Sequence, residues 1–286
     1  MRKLAMLFAI MFIALPFSGC DKQSTQDKDE SRLTVAVTIL PQKAFVQAVG
    51  GDLVDIIAIV PAGGSPENYE PTARQLEQFA EADIYFTIGV PAEQAKILPE
   101  LEGTVVVRLE EKAAEVYEYR FFEGDSRDPH SWLSVKRAII MVETIAEELG
   151  ILDPENKQAY SENAAEYVGS LREADEYAEQ LFASVDDGVF LVYHPAFGYF
   201  ADDYGLTMYS LEEEGKEASP QDLQDMIDFA REKDIKVLFT QPESGAAQTT
   251  VFADEVGGRV VTLDPLSEDY ISNFRYIAEQ IAEAIK

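Results

Sequence analysis

Short runs rich in β-branched and aromatic residues alternate with helical stretches from Leu33 onward, and this alternation restricts the chain more than any other feature. Strands separated by helices form βα units, whose strands run parallel and whose sheets need helices on their faces. The β-rich runs are Leu33–Ile39, Val54–Val60, Ile84–Ile88 and Val105–Val107, then Val189–Tyr193, Leu206–Tyr209, Val237–Thr240 and Arg259–Leu263. Helical patterns fall at Lys43–Val49, Thr72–Ala82, Arg137–Leu149, Pro220–Glu232, Thr250–Val256 and Ile271–Ile285. Between the two series lies the longest helical pattern, Pro154–Phe182. Its Tyr160, Ala164, Tyr167, Leu171, Ala174, Tyr177 and Leu181 recur at three- and four-residue steps. At 1.5 Å per residue it spans about 43 Å, more than one small domain needs, and reads as a rigid strut between two α/β halves of similar build.

Composition narrows the function. The 286 residues carry 53 Asp and Glu against 23 Lys and Arg, a net charge of −30. Nucleic-acid affinity rests on Lys and Arg neutralising phosphates, and anionic lipid attracts basic surfaces, so both partners are disfavoured. An acidic body suits a cation. The single cysteine excludes an intramolecular disulfide and any Cys-rich zinc or iron–sulfur site.

That cysteine sits where export chemistry uses one. Arg2 and Lys3 precede an apolar run, Leu4–Ala14, of signal-peptide length and too short for a membrane span. The run leads to Phe17-Ser18-Gly19-Cys20, which resembles a bacterial lipoprotein signal, with Phe17 standing where Leu is usual. Asp21–Ser31 is polar throughout and reads as a flexible tether. The expected organisation is a signal at 1–20 with lipidation at Cys20, a tether at 21–32, an N-terminal lobe at 33–150, a linking helix at 151–185 and a C-terminal lobe at 186–286. The body would be exported and lipid-anchored at the bacterial cell membrane, on its extracellular face or in the periplasm.

Ligands of open parallel sheets bind at the carboxyl ends of strands. The loops there include Pro66-Glu67-Asn68-Tyr69-Glu70-Pro71, His194-Pro195-Ala196-Phe197-Gly198-Tyr199 and Asp264-Pro265-Leu266. The other histidine lies in Asp128-Pro129-His130-Ser131-Trp132-Leu133. Each half thus has one histidine, in a loop flanked by proline and aromatics. Spacing alone leaves open whether these are ligands or hydrogen-bonding residues.

Four segments also carry a family resemblance: Gly64-Ser65-Pro66 with Tyr69-Glu70-Pro71-Thr72, Asp128-Pro129-His130 with Trp132-Leu133, His194 with Ala196-Phe197-Gly198-Tyr199-Phe200, and Asp264-Pro265-Leu266. In this order, behind a lipoprotein signal, they resemble the metal-binding lipoproteins of bacterial ABC importers for zinc and manganese, the cluster A-I solute-binding proteins. The resemblance implies an α/β fold of two lobes, each with a mostly parallel sheet flanked by helices, joined by a single long rigid helix, with the metal in the cleft. It implies His130, His194 and Asp264 as ligands. The residue after Pro66 is usually His in that family and is Glu67 here, still a competent oxygen ligand.

Two imidazoles and two carboxylates suit zinc, and exchanging an imidazole for a carboxylate moves the set toward manganese, the close second. The implied function is a non-catalytic monomer that captures the metal and delivers it to a membrane permease, with lobe closure limited by the stiff helix. Asp128, Glu70 and Glu243 are candidates for orienting the histidines. Tyr69, Trp132, Phe197 and Tyr199 are candidates for the cleft wall. The stretch Tyr117–Arg127, where many relatives carry a His-rich loop, has no histidine. The charge run Leu211–Glu217 reads as a solvated loop. The Gly63-Gly64 loop lacks the Gly-Lys-Ser/Thr of a phosphate loop. Two other functions fit the same residues: an enzyme with an open two-His-one-carboxylate site, in which Glu67 is a general base, and a surface adhesin.

Overall fold

A computed structural model of the protein describes residues 32–101, 103–212, 218–242 and 246–285. The signal, Cys20 and the tether up to Ser31 lie outside the described residues, as does Glu243.

The N-terminal lobe runs β1 (Leu33–Val37), α1 (Leu40–Gly50), β2 (Val54–Ala58), α2 (Ala73–Ala80), β3 (Ile84–Thr87), β4 (Val105–Arg108), α3 (Leu109–Ala114) and α4 (Val135–Leu152). The helix α5 (Lys157–Phe182) follows. The C-terminal lobe runs β5 (Val189–Val192), α6 (Gly198–Asp203), β6 (Thr207–Ser210), α7 (Pro220–Glu232), β7 (Val237–Thr240), α8 (Ala246–Val256), β8 (Arg259–Thr262) and α9 (Tyr270–Ala284). Every strand coincides with a β-rich run of the sequence, within two residues at each end.

Both sheets are parallel and wound the same way, in the orders β2-β1-β3-β4 and β6-β5-β7-β8. The first strand of each lobe is central, so the chain moves to one edge and then crosses to the other side. That reversal opens a crevice at the carboxyl ends of β1 and β3, and another at those of β5 and β7. Local chemistry sets the helix starts. Thr72 and Ser219 close capping boxes with Gln75 and Asp222, Ser134 caps α4, and Pro220 occupies the first turn of α7.

The strut begins later than the sequence pattern suggested. Helix α4 ends at Leu152, and α5 starts at Lys157 rather than Pro154. Asp153 precedes a proline, which disfavours helical backbone there. Its carboxylate instead accepts Asn156 Nδ2 at 2.7 Å and the Tyr160 hydroxyl at 2.8 Å. The buried stripe of α5 is Tyr160, Ala164, Val168, Leu171, Ala174, Ala178 and Phe182. Tyr167, Tyr177 and Leu181, expected in that stripe, lie along its edge, and Tyr177 reaches out to Glu279 Oε1 at 2.7 Å. Near its start α5 is tied to α1, through Asn163 Nδ2 to the Val49 carbonyl at 2.9 Å. Near its end Tyr177 ties it to α9. One apolar core runs through both lobes and α5. Among the described residues, no helix is long and apolar enough to cross a membrane.

Candidate metal centre

The two histidines come from opposite lobes and meet. His194 follows β5, whose last residues are buried in the C-terminal sheet. His130 precedes a single 3-10 turn, Ser131–Leu133, that leads into α4. The turn is docked across the lobes: Trp132 Nε1 donates to the Pro265 carbonyl at 2.8 Å, and the Tyr270 hydroxyl donates to the Trp132 carbonyl at 2.7 Å. Burial of the whole indole makes that placement firm, with Trp132 only 1% exposed.

Glu67, in the loop after β2, completes a triangle. His194 Nε2 lies 3.1 Å from Glu67 Oε1 and 3.2 Å from His130 Nε2, and the third edge, His130 Nε2 to Glu67 Oε1, is 3.8 Å. Nitrogen and oxygen ligands bind zinc at about 2.0–2.2 Å, so adjacent ligands of a tetrahedral ion stand about 3.3–3.6 Å apart. Two edges fall just short of that spacing and one just beyond it, so the three atoms are grouped much as one face of such a shell would be. Of the Asp, Glu, His and Cys side chains among the described residues, these three can hold one ion together.

Asp264 does not join them. Its Oδ1 accepts the Leu266 N–H at 2.8 Å, a tight local turn, and its carbonyl accepts Asn273 Nδ2 at 2.7 Å. It follows β8, an edge strand two places from β5 in the sheet.

Each histidine is backed by a carboxylate on its other nitrogen. Asp128 Oδ1 lies 2.8 Å from His130 Nδ1 and also accepts the His130 N–H at 3.0 Å, a compact loop that the two-residue spacing allows. Glu212 Oε1 lies 3.3 Å from His194 Nδ1. Of the orienting candidates read from sequence, Asp128 takes that position, whereas Glu70 is exposed and pairs with Lys96 at 3.3 Å. Glu212 departs from the solvated loop that the charge run Leu211–Glu217 suggests, with its side chain only 13% exposed. Leu211 is 4% exposed, and its N–H and that of Glu212 extend the β5–β6 ladder to the carbonyls of Val192 and Tyr193. A charge run in sequence carries no mark of where the backbone pairing of a neighbouring strand ends.

The charges around the triangle set its protonation. Burial works against a charge on His194, but the Glu212 and Glu67 carboxylates outweigh it and push its pKa up to about 9. Burial likewise opposes ionisation of Glu67, and the hydrogen bond and charge of His194 outweigh it, holding the carboxyl below its usual range. At neutral pH His194 thus carries a second proton, and the metal-free triangle holds a charged imidazole.

The wall of the centre is aromatic and clasped. Trp132 and Phe122 rings lie 5.3 Å and 6.4 Å from the His130 ring. The Tyr199 hydroxyl accepts the Arg120 N–H at 3.0 Å and donates to the Asp128 carbonyl at 3.1 Å. The Arg120 guanidinium joins Asp128 Oδ2 at 3.3 Å to Asp202 Oδ2 at 3.2 Å, linking the lobes directly behind His130. Phe197 is buried, and Tyr69 is held by Gln75 in the N-terminal lobe.

Residues 35–284 match the family described as ZnuA, zinc-uptake complex component A, periplasmic. The chain belongs to that family. Its curated relatives include the manganese-binding lipoprotein MntA of Halalkalibacterium halodurans, 26% identical over 92% of this chain and 90% of that one. The high-affinity zinc uptake system protein ZnuA of Bacillus subtilis is 26% identical, over 93% of this chain and 89% of that one. A crystal structure of ZnuA superimposes with a TM-score of 0.83 at 33% identity, covering 89% of this chain and 100% of that chain. The ZnuA family fold thus accounts for the paired parallel sheets and for the long helix between them.

Proposed function

We propose that the chain is the extracytoplasmic substrate-binding component of an ABC importer, capturing a divalent transition metal between its lobes and passing it to a membrane permease. The metal is cargo, zinc first and manganese close behind. The observation that carries the reading is the Glu67–His130–His194 triangle, whose edges of 3.1, 3.2 and 3.8 Å bracket the spacing of adjacent ligands of one small ion. Asp264 is the fourth ligand in this reading, drawn in when the ion replaces the proton on His194. Family membership favours transport over the enzyme and the adhesin, and we read the centre as non-catalytic. Anchorage through Cys20 and action as a monomer belong to the same proposal.

The mechanism follows from the residues. His130 and Glu67 are presented by the N-terminal lobe and His194 and Asp264 by the C-terminal lobe, so capture bridges the lobes and release requires parting them. The embedded α5 limits that movement, and the permease supplies the work of separation.

Elemental analysis of the dialysed protein beside its Glu67→Ala variant tests this. One equivalent of zinc or manganese, weakened or lost in the variant, is expected. A full equivalent unaffected by the change would leave an open site without Glu67 and bring the enzyme reading forward.

A further inference from the structure

We propose that Glu212 is the positioning residue for His194, fixing which ring nitrogen faces the metal; this rests on the metal-capture reading above. A neutral imidazole offers one lone pair, and the proton on the other nitrogen decides which. The nitrogen turned toward Glu67 and His130 is Nε2, so a ligating His194 must keep its proton on Nδ1. Glu212 Oε1, 3.3 Å from Nδ1, is the acceptor that holds it there. The glutamate is on the side of the ring away from the triangle and is not one of the three converging ligand atoms.

Its own placement is firm. The backbone of Glu212 is bonded to Tyr193, the residue before His194, at 2.9 Å, and its side chain is 13% exposed. The β5–β6 ladder continues two residues past the strands and delivers the carboxylate beside the ring. Asp128 does the same for His130 from within its own loop. Each lobe thus contributes an imidazole backed by a carboxylate. The two devices differ in origin, because Asp128 is local whereas Glu212 makes the orientation of His194 depend on the connection after β6.

Carboxylates behind ligating histidines typically change metal affinity by about 10- to 100-fold when removed. The test uses the full chain in mild detergent with zinc as the probe, comparing wild type, Glu212→Leu and Glu212→Gln. Measured at pH 9, where a proton competes little with the ion at His194, Glu212→Leu is expected to weaken zinc binding by about 10- to 100-fold, with Glu212→Gln, which keeps an acceptor oxygen, recovering most of it. A structural role alone would not move the second readout. With only two histidines in the chain, proton–nitrogen NMR of the zinc-loaded wild type should show two slowly exchanging Nδ1 protons. In Glu212→Leu, that of His194 should be lost and that of His130 kept.

Zinc affinity within twofold of wild type in Glu212→Leu, or an unchanged His194 Nδ1 proton, would overturn the role of Glu212 and leave metal capture standing. Equal loss in Glu212→Leu and Glu212→Gln with both Nδ1 protons intact would assign Glu212 to folding and also overturn the role. Failure of the wild type to bind zinc would sink the metal-capture reading, and the positioning role with it.

Discussion

At the scale of single residues, the proposed capture is a competition between a proton and a metal for the same space. His194 holds its proton until about pH 9, against an ordinary value near 6.5, because Glu212 and Glu67 flank it. Binding must displace that proton, so apparent zinc affinity should rise about tenfold per pH unit from pH 7 toward 9 and then level off. Calorimetry in buffers of differing ionisation enthalpy should register about one proton released at pH 7.5. An affinity flat from pH 7 to 9 would remove His194 from the ligand set. The sign reverses for the metal-free fold. A pKa raised on folding gives stability that is fully present below about pH 6.5 and lost as pH rises through 9. The part of this chemistry legible in sequence was the ligand types, since both histidines and Glu67 stand in loops after or before regular elements. The proton was not legible, because it depends on Glu212, whose approach is set by a strand pairing rather than by any spacing in the chain.

At the scale of elements, a clasp behind His130 is the feature the sequence conceals. Arg120 belongs to the hairpin-like stretch around the Phe121–Arg127 bridge, and it reaches across to α6. Gly198, the first residue of α6, permits this approach, because a Cβ there would stand 2.6 Å from the guanidinium. Asp128, fully buried, depends on the same arginine. Arg120→Ala should therefore destabilise the metal-free protein by about 1–3 kcal/mol, the range for a buried polar group losing a partner. Chemical denaturation checks this, and an unchanged midpoint would mean that solvent or His130 compensates for the lost pair. The regular elements themselves were readable because their patterns are long or strongly alternating. Helices α3 and α6, six residues each, carry too few turns to show a period and passed unnoticed. Tyr167 and Tyr177 shift the apparent phase of α5 by one residue, since both rings pack at the edge of the buried stripe rather than within it.

At the scale of the whole molecule, two similarly wound lobes share one core through α5, and the three converging ligand atoms lie where they meet. That the lobes would be joined by a long helix was visible in sequence, because no single small domain needs so long an amphipathic stripe. Which side chains converge was visible only through the resemblance of four short motifs, and Asp264, the expected member outside the converging three, is tied into its own turn. The most direct measurement of the central claim is X-ray absorption spectroscopy of the zinc-loaded protein. Because the chain has only two histidines, the number of imidazoles around the ion identifies them. Capture at the triangle predicts two imidazole nitrogens and carboxylate oxygens at about 2.0–2.2 Å. A shell of oxygens alone, or one with a single imidazole, would place the ion elsewhere and contradict it.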